Sequence, residues 1–422
     1  MQQYAFIFGH RPLLSLAELE ALCANQGMIW QPTRYGNGVL VAEFAKAIES
    51  PQDFLNQLGG TVKIAEIKAE EPATLTTFRK HLQRELTASS LLNNYFTQSQ
   101  KKVLYGFSLY SLASNLSSKD LQIFLRTYGI DLKVGLRELG VSSRLVVGQK
   151  SILSSVIVTK NRLLERGAEI DIIFDQQYLA IAKTIAVQDF QAYRRRDYGR
   201  PQADPKKGMM PPKLAQILLN LARLKTDNII LDPFCGVGTI LQEGLLKDLR
   251  VIGTDVDRKA IEQAKENLAW LASEYQLNPQ KIIGLEATDV KYLEEHVKPA
   301  SVNAVATEST LGPAISLSPT RTIAKRNLQR IEKTISEALK AIHPLLVKQG
   351  KVVITLPYYI LPKNRLFLPI IDNFNQLGYT QVEPLGKKIR EKCSVTATKR
   401  GSLLYERPRQ VVGREVVILR KK

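Results

Sequence analysis

The segment Ile230-Leu231-Asp232-Pro233-Phe234-Cys235-Gly236-Val237-Gly238-Thr239 constrains this chain most strongly. An apolar strand runs into a glycine turn, and the turn opens a helix. A second apolar run then ends in Asp255. Gly236 and Gly238 permit a tight turn that a Cβ would obstruct, and they let a ligand approach the backbone. The helix opening near Thr239 presents unpaired N–H groups. Asp255 can accept both hydroxyls of a ribose. Asp289, which closes Glu286-Ala287-Thr288-Asp289 after a third strand, can receive a base amino group. The spacing therefore predicts a cradle for a nucleoside cofactor. Dinucleotide-binding folds use similar glycine turns. Here Asp232 stands inside the turn, where it would repel a pyrophosphate and attract a cationic amino-acid moiety. That favours S-adenosylmethionine over a nicotinamide dinucleotide, with another nucleotide or a vestigial turn as the alternatives. The candidate cofactor contacts are Asp232, Phe234, Cys235, Gly236, Gly238, Thr239, Asp255, Val256 and Asp289. Cys235 reads as a small packed residue of the loop, since no histidine lies nearby in sequence to activate a thiolate.

From residue 214 onward the pattern is doubly wound α/β, with its site at the carboxyl ends of the strands. Strands are predicted at 228–232, 250–254, 281–285, 301–306 and 350–356, and helices at 213–223, 239–247, 258–273 and 320–346. A pair near 379–388 and 413–420 reads as an antiparallel hairpin that closes the sheet. The chain begins with strands at 4–9, 39–44 and 61–67. A helix from Ser15 to Ala24 lies between the first two, with Ser15 and Glu18 spaced as a capping box. A second unit carries helices near 75–91, 118–139 and 151–164, strands at 104–110 and 143–148, and a hairpin of 168–174 with 178–186. With 422 residues, too many for one core, the chain divides into 1–73, 74–187, a bridge 188–213 and 214–422.

The net charge is +19, while apolar residues make up 44 % of the chain and charged residues 23 %. Such a balance favours a polyanionic partner without choosing between RNA, DNA and an anionic membrane surface. No long basic amphipathic helix with aromatic anchors stands out, and no run reaches the length of a membrane span. The N-terminus does not read as a signal peptide. Cys23, Cys235 and Cys393 are far apart, which suits a reducing, cytoplasmic setting, and no metal site is expected. Arg194, Arg195, Arg196, Arg200, Lys206 and Lys207 lie in the bridge, whose prolines argue against a continuous helix. They are candidate RNA-phosphate contacts, or else a solvated hinge that salt-bridges two domains. Lys388 and Arg390 belong to a second basic cluster, 387–400, that could hold a nucleic-acid strand over the site.

Asp232–Thr239 followed by Glu243-Gly244 resembles the THUMP-containing tRNA guanosine N2-methyltransferases that act at position 10 of tRNA, together with their bacterial relatives. The bridge segments Tyr193–Pro201 and Asp204–Ala215, the opening Phe6–Gly9 and Leu16–Leu19, and a THUMP-like stretch at 104–187 carry the likeness over nearly the whole chain. The resemblance implies an N-terminal ferredoxin-like part, an RNA-binding THUMP domain and a Rossmann-like class I methyltransferase sheet. It implies that tRNA is the partner, and some relatives work with a small activating protein. By resemblance, Asp232 and Gly236 meet the methionine half of the cofactor, Asp255 the ribose and Asp289 the adenine.

The family carries Asp-Pro-Pro-Tyr-Gly after its fourth strand, whereas this chain has Thr307-Glu308-Ser309-Thr310-Leu311-Gly312-Pro313. Glu308 keeps a carboxylate and Gly312 a turn glycine, while Leu311 offers only apolar contact in place of the aromatic ring. Glu308, Leu311 and Gly312 are the candidate catalytic positions. Tyr358 or Tyr359 is the candidate replacement ring for base contact, or else packs at the end of a strand. The expected activity is methylation of the exocyclic amine of a tRNA guanosine. The alternatives are an RNA-binding protein with lost or altered catalysis, and an N-methyltransferase acting on another nucleobase or on DNA.

Overall fold

Two sheets organise the computed structural model, which describes residues 1–422 except 75, 97–101, 114–118, 204–208, 313–318 and 409. In the first half, β1 (Gln2–Phe8), β2 (Trp30–Gly36), β3 (Val39–Phe44) and β4 (Thr61–Pro72) alternate with helices Pro12–Asn25 and Pro51–Asn56. They form an antiparallel β-α-β-β-α-β unit in the order β2-β3-β1-β4. β5 (Lys102–Ser111), β6 (Ser142–Leu145), β7 (Gly167–Phe174) and β8 (Tyr178–Val187) follow. β4 pairs with β8, so the first two units share one eight-stranded sheet that continues as β8-β7-β5-β6.

The second sheet contains β9 (Ile229–Asp232), β10 (Arg250–Asp255), β11 (Ile282–Ala287), β12 (Val302–Glu308) and β13 (Leu346–Ile360). It also contains β14 (Arg365–Leu366), β15 (Tyr379–Val382), β16 (Leu403–Tyr405) and β17 (Val412–Lys421). The order is β11-β10-β9-β12-β13-β17-β15, with the first five strands parallel and β17 antiparallel to both its neighbours. The direction of winding reverses at β9, between β10 and β12. In doubly wound sheets such a switch point, at the carboxyl ends of the strands, is where ligands bind. Helices Thr239–Leu246, Arg258–Glu274 and Arg321–Leu345 cover the sheet. The two halves share a core: Leu14, Leu22 and Cys23 of helix Pro12–Asn25 belong to the same buried cluster as Leu214, Ile217, Leu218 and Leu221 of helix Pro212–Ala222. No described helix is long and apolar enough to cross a membrane.

Several expectations need correction. Ser15 caps no helix, because Pro12 already occupies the first turn, where its fixed φ suits a helix start. Ser15 is buried inside the helix and donates to the carbonyls of Arg11 and Gly60 (3.1 and 3.0 Å). The Ser–x–x–Glu spacing instead puts Glu18 on the same buried face. β2 carries no strand signal in the sequence, because Pro32 and Arg34 disguise it; as an edge strand it tolerates both. The predicted helix 151–164 is two short helices, Ser155–Lys160 and Leu163–Arg166, split at Arg162 with φ 52°. The strand expected at 379–388 ends at Val382, and a helix, Lys387–Cys393, follows Gly386.

Candidate active site

β9 delivers Asp232 to the switch point and the glycine turn follows. Gly236 and Gly238 adopt φ 52° and 83°, a region that disfavours side chains. A Cβ at Gly238 would also lie 3.3 Å from that of Ala264. The turn is fastened from the neighbouring strand. Cys235 N–H donates to the carbonyl of Thr254 (2.9 Å), and Gly236 N–H donates to Asp255 Oδ2 (2.9 Å). Asp255 also accepts the N–H of Asp257 on Oδ1 (3.0 Å). Thr288 N–H reaches the Asp255 carbonyl (3.0 Å), which brings the end of β11 beside it. Asp289 caps the short turn Val290–Glu295 by accepting the Lys291 N–H (3.0 Å). Val256, just past the end of β10, and Tyr292, inside the turn Val290–Glu295 that follows β11, stand exposed. Tyr292 is a further site candidate, one that no motif in the sequence marks.

Asp232 is the electrostatic centre of this cradle. Its side chain is buried, and Oδ1 accepts from Thr307 Oγ1 (2.6 Å) and Phe234 N–H (3.2 Å). Burial pushes its pKa up from 3.8 to about 7; the Thr307 and Phe234 hydrogen bonds oppose the shift, and the charges of Asp255 and Glu308 add to it. A carboxylate surrounded this way gains from a cation. The arrangement thus fits the sulfonium and ammonium of S-adenosylmethionine better than an anionic ligand. Cys235 is buried with its thiol pKa raised well above the ordinary value by burial, so the loop holds it as an unreactive packed residue. Thr239 opens its helix, and Phe234 is only partly buried at the lip of the loop.

Glu308 ends β12 and reaches the cradle from the other side. Its carboxylate is ion-paired with Arg414 of β17. Arg414 is a second missed residue, and it lies so far along the chain that no local pattern could pair the two. Gly312 has φ 81° and sits against Ile331 and the Tyr359 hydroxyl, beside the partly exposed Leu311. The structure corrects the proposed replacement ring: Tyr358 and Tyr359 are both fully buried. Tyr358 donates to Glu406 (2.6 Å), and the Tyr359 hydroxyl accepts from Asn327 (3.2 Å). Neither ring presents a face to a base here.

The basic bridge divides. Residues 190–198 form a helix, with Arg194 and Arg195 exposed; Arg195 pairs with Glu274 (2.5 Å). Arg196 and Arg200 are buried, which corrects their assignment to phosphate. Arg196 pairs with Glu243 (2.7 Å) and lies over the Tyr193 ring, while Arg200 donates to Thr239 Oγ1 (2.7 Å). Asn267 accepts from the Gln202 backbone N–H (2.9 Å) and donates to the Val237 carbonyl (3.0 Å). These contacts strap the bridge to the glycine turn. Lys206 and Lys207 lie outside the described residues. Lys388 is exposed and Arg390 faces Glu383 (3.8 Å), on a helix packed against β2. None of the described residues forms a cluster able to hold a metal ion.

Fold and site together define a class I-type methyltransferase domain. Residues 200–355 match the family model described as RMKL-like, methyltransferase domain; a DNA methylase model matches 117–266, across the junction of the two sheets. The chain is 28 % identical over 189 residues to tRNA (guanine(10)-N2)-dimethyltransferase of Methanothermobacter thermautotrophicus, covering 45 % of this chain and 50 % of that protein. It is 33 % identical over 129 residues to a probable tRNA (guanine(10)-N2)-dimethyltransferase of Methanothermococcus thermolithotrophicus, covering 30 % of this chain and 74 % of the relative. TrmN from Thermus thermophilus superposes over 100 % of both chains with a TM-score of 0.54 at 16 % identity, a likeness of fold. The chain belongs to the tRNA guanine-N2 methyltransferase family. It spans about half the length of the first curated relatives it matches.

Proposed function

We propose that this protein is an S-adenosylmethionine-dependent methyltransferase that modifies the exocyclic N2 amine of a tRNA guanosine. The observation that carries the reading is the buried Asp232, set at the switch point behind a left-handed glycine turn and flanked by Asp255 and Glu308. The cofactor supplies an electrophilic methyl group on a sulfonium. Asp232 holds its cationic amino-acid end, Gly236 and Gly238 admit it to the backbone, Asp255 receives the ribose, and Asp289 the adenine amine. Val256 and Tyr292 offer apolar surface to the purine ring. The guanine N2 lone pair is delocalised into the base, so orientation governs the rate. Glu308 accepts an N–H of that amine and fixes its direction, while Leu311 and Gly312 line the approach. The proton can leave after methyl transfer, so Glu308 orients and stabilises rather than acting as a strong base.

The N-terminal β-α-β-β-α-β unit, residues 1–73, takes the ferredoxin-like role, and 74–187 the THUMP role of holding tRNA. Its antiparallel order β2-β3-β1-β4 supports the first assignment. A small activating protein is a further candidate partner. The free cysteines favour the cytoplasm.

Incubation with methyl-labelled cofactor and total small RNA tests the reading. Label should enter tRNA and appear as N2-methylated guanosine after digestion; label confined to another nucleoside, or none at all, overturns it. One observation favours the second reading, retained binding with altered catalysis: the Glu308 carboxylate is held by Arg414 and both candidate rings are buried. Tight binding of RNA and cofactor without transfer would select it.

A further inference from the structure

The N-terminal half of helix Arg321–Leu345 carries Arg321, Lys325, Arg326, Arg330 and Lys333, all exposed. Ala324, Asn327, Leu328 and Ile331 are buried on the opposite arc. None of the five cations forms an ion pair with a carboxylate among the described residues. The acid within this stretch, Glu332, is half-buried and has its pKa raised by burial and by Asp372.

Helix physics does not account for this pattern. The N-terminal end of a helix already carries partial positive charge, so Arg321 stands at the unfavourable end. The first turn holds no acid to compensate. Arg321 with Lys325, and Arg326 with Arg330, are like-charged neighbours at i,i+4, an arrangement that destabilises an isolated helix. The charges extend over about 18 Å of helix axis at 1.5 Å per residue. The same segment touches the candidate active site. Asn327 donates to the Tyr359 hydroxyl (3.2 Å), and Ile331 lies close under Gly312, where an added Cβ would be 3.1 Å from it. The helix therefore packs its buried arc against the segment that follows Glu308, and the basic arc lies on the outer side of the same helix, about 10–12 Å across.

We propose that this helix face is a docking surface for the phosphate backbone of the RNA substrate and holds the strand beside the base to be modified. The proposal rests on the RNA-methyltransferase reading above and adds the place where the substrate lies. Repulsion among the cations is relieved when phosphates settle over them, and the released counterions make binding salt-dependent.

The test compares the full chain with an R326Q/R330Q/K333Q variant by anisotropy titration of unmodified tRNA between 50 and 200 mM salt. Cofactor calorimetry and thermal melting run in parallel. The variant should bind tRNA at least tenfold more weakly, with a log–log salt slope reduced by about 2–3, roughly one for each phosphate no longer neutralised. Its cofactor affinity should not change, and its melting temperature should hold or rise as the repulsion is removed. Unchanged RNA affinity and slope overturn the proposal. So does a loss of RNA binding accompanied by lower melting and lost cofactor binding, which marks a structural role. A loss confined to phosphatidylserine vesicles, with tRNA binding intact, overturns it in favour of a membrane surface. Wild-type methylation of tRNA with an unaltered variant removes the docking face alone. An altered salt slope without any methyl transfer by the wild type removes the enzymatic reading and keeps the docking face.

Discussion

At the scale of the residue, the proposed role of Asp232 at the cofactor's cationic end makes cofactor binding depend on pH. Its carboxyl has a pKa of about 7 in the free protein, raised first by burial. A cationic ligand needs the ionised form, so binding must release the proton wherever the group is protonated. Affinity should therefore level off above about pH 7 and fall, by up to tenfold per unit, as pH drops below it. Calorimetry across that range checks this, and Asp232→Asn should both weaken binding and flatten the profile. A wild-type profile that is flat from pH 6 to 8 would remove Asp232 from the cofactor's cationic end. Glu308 poses a different problem, because its partner Arg414 is nearly fully buried. Arg414→Met leaves the carboxylate without its counter-charge and free to swing. The expected result is a loss of at least tenfold in kcat, about 1.4 kcal/mol in the barrier, with cofactor affinity retained. Single-turnover methyl transfer separates that outcome from a binding defect.

Elements convert these residues into a candidate site, and the strap over the glycine turn shows how. Arg196 and Glu243 form a buried pair that joins helix Phe190–Tyr198 to helix Thr239–Leu246. Removing one member of such a pair costs about 3–5 kcal/mol, because the other charge stays buried alone. Arg196→Met should lower unfolding free energy by that amount in urea. Arg194→Gln with Arg195→Gln should leave stability nearly unchanged and weaken only RNA binding. Equal destabilisation by the two variants would contradict the division seen along the helix. The sequence already contained that division: Tyr193 and Arg196 sit three residues apart on one helix face, with Arg194 and Arg195 off it, but the run of arginines reads as a single patch when periodicity is ignored. The glycine turn and the parallel strands were legible because each is a local pattern with one physical solution. β2 was not, since an edge strand can carry Pro32 and Arg34 without penalty. Nor was the Glu308–Arg414 pair, which exists only after β13 and β17 have aligned.

Across the whole molecule, the decisive contact is the joint between the two sheets. Glu18, from the N-terminal half, is fully buried and accepts from the N–H groups of Gly59 and Gly60 (both 2.8 Å) and from Asn220 Nδ2 (2.7 Å) of the methyltransferase half. Apolar side chains from both halves surround this joint in one core, so the halves should unfold together. Burial raises the Glu18 pKa from 4.5 to about 7, against the pull of its three donors. The folded value therefore lies above the unfolded one, so the contribution from protonated Glu18 is full below about pH 4.5 and is lost as pH rises through about 7. The amount lost is on the order of 3 kcal/mol, at 1.36 kcal/mol per unit. Glu18→Gln cannot ionise, so the difference in stability between wild type and variant should change by that order between pH 4.5 and 7, in the direction that favours the variant at the higher pH. Calorimetric melting at several pH values measures both parts of the prediction. A single transition at each pH, with a pH-dependent gap between the two proteins, is the expected record. Two separate transitions in the wild type would show that the N-terminal and methyltransferase halves unfold independently, and that the shared core and the Glu18 contacts do not couple them.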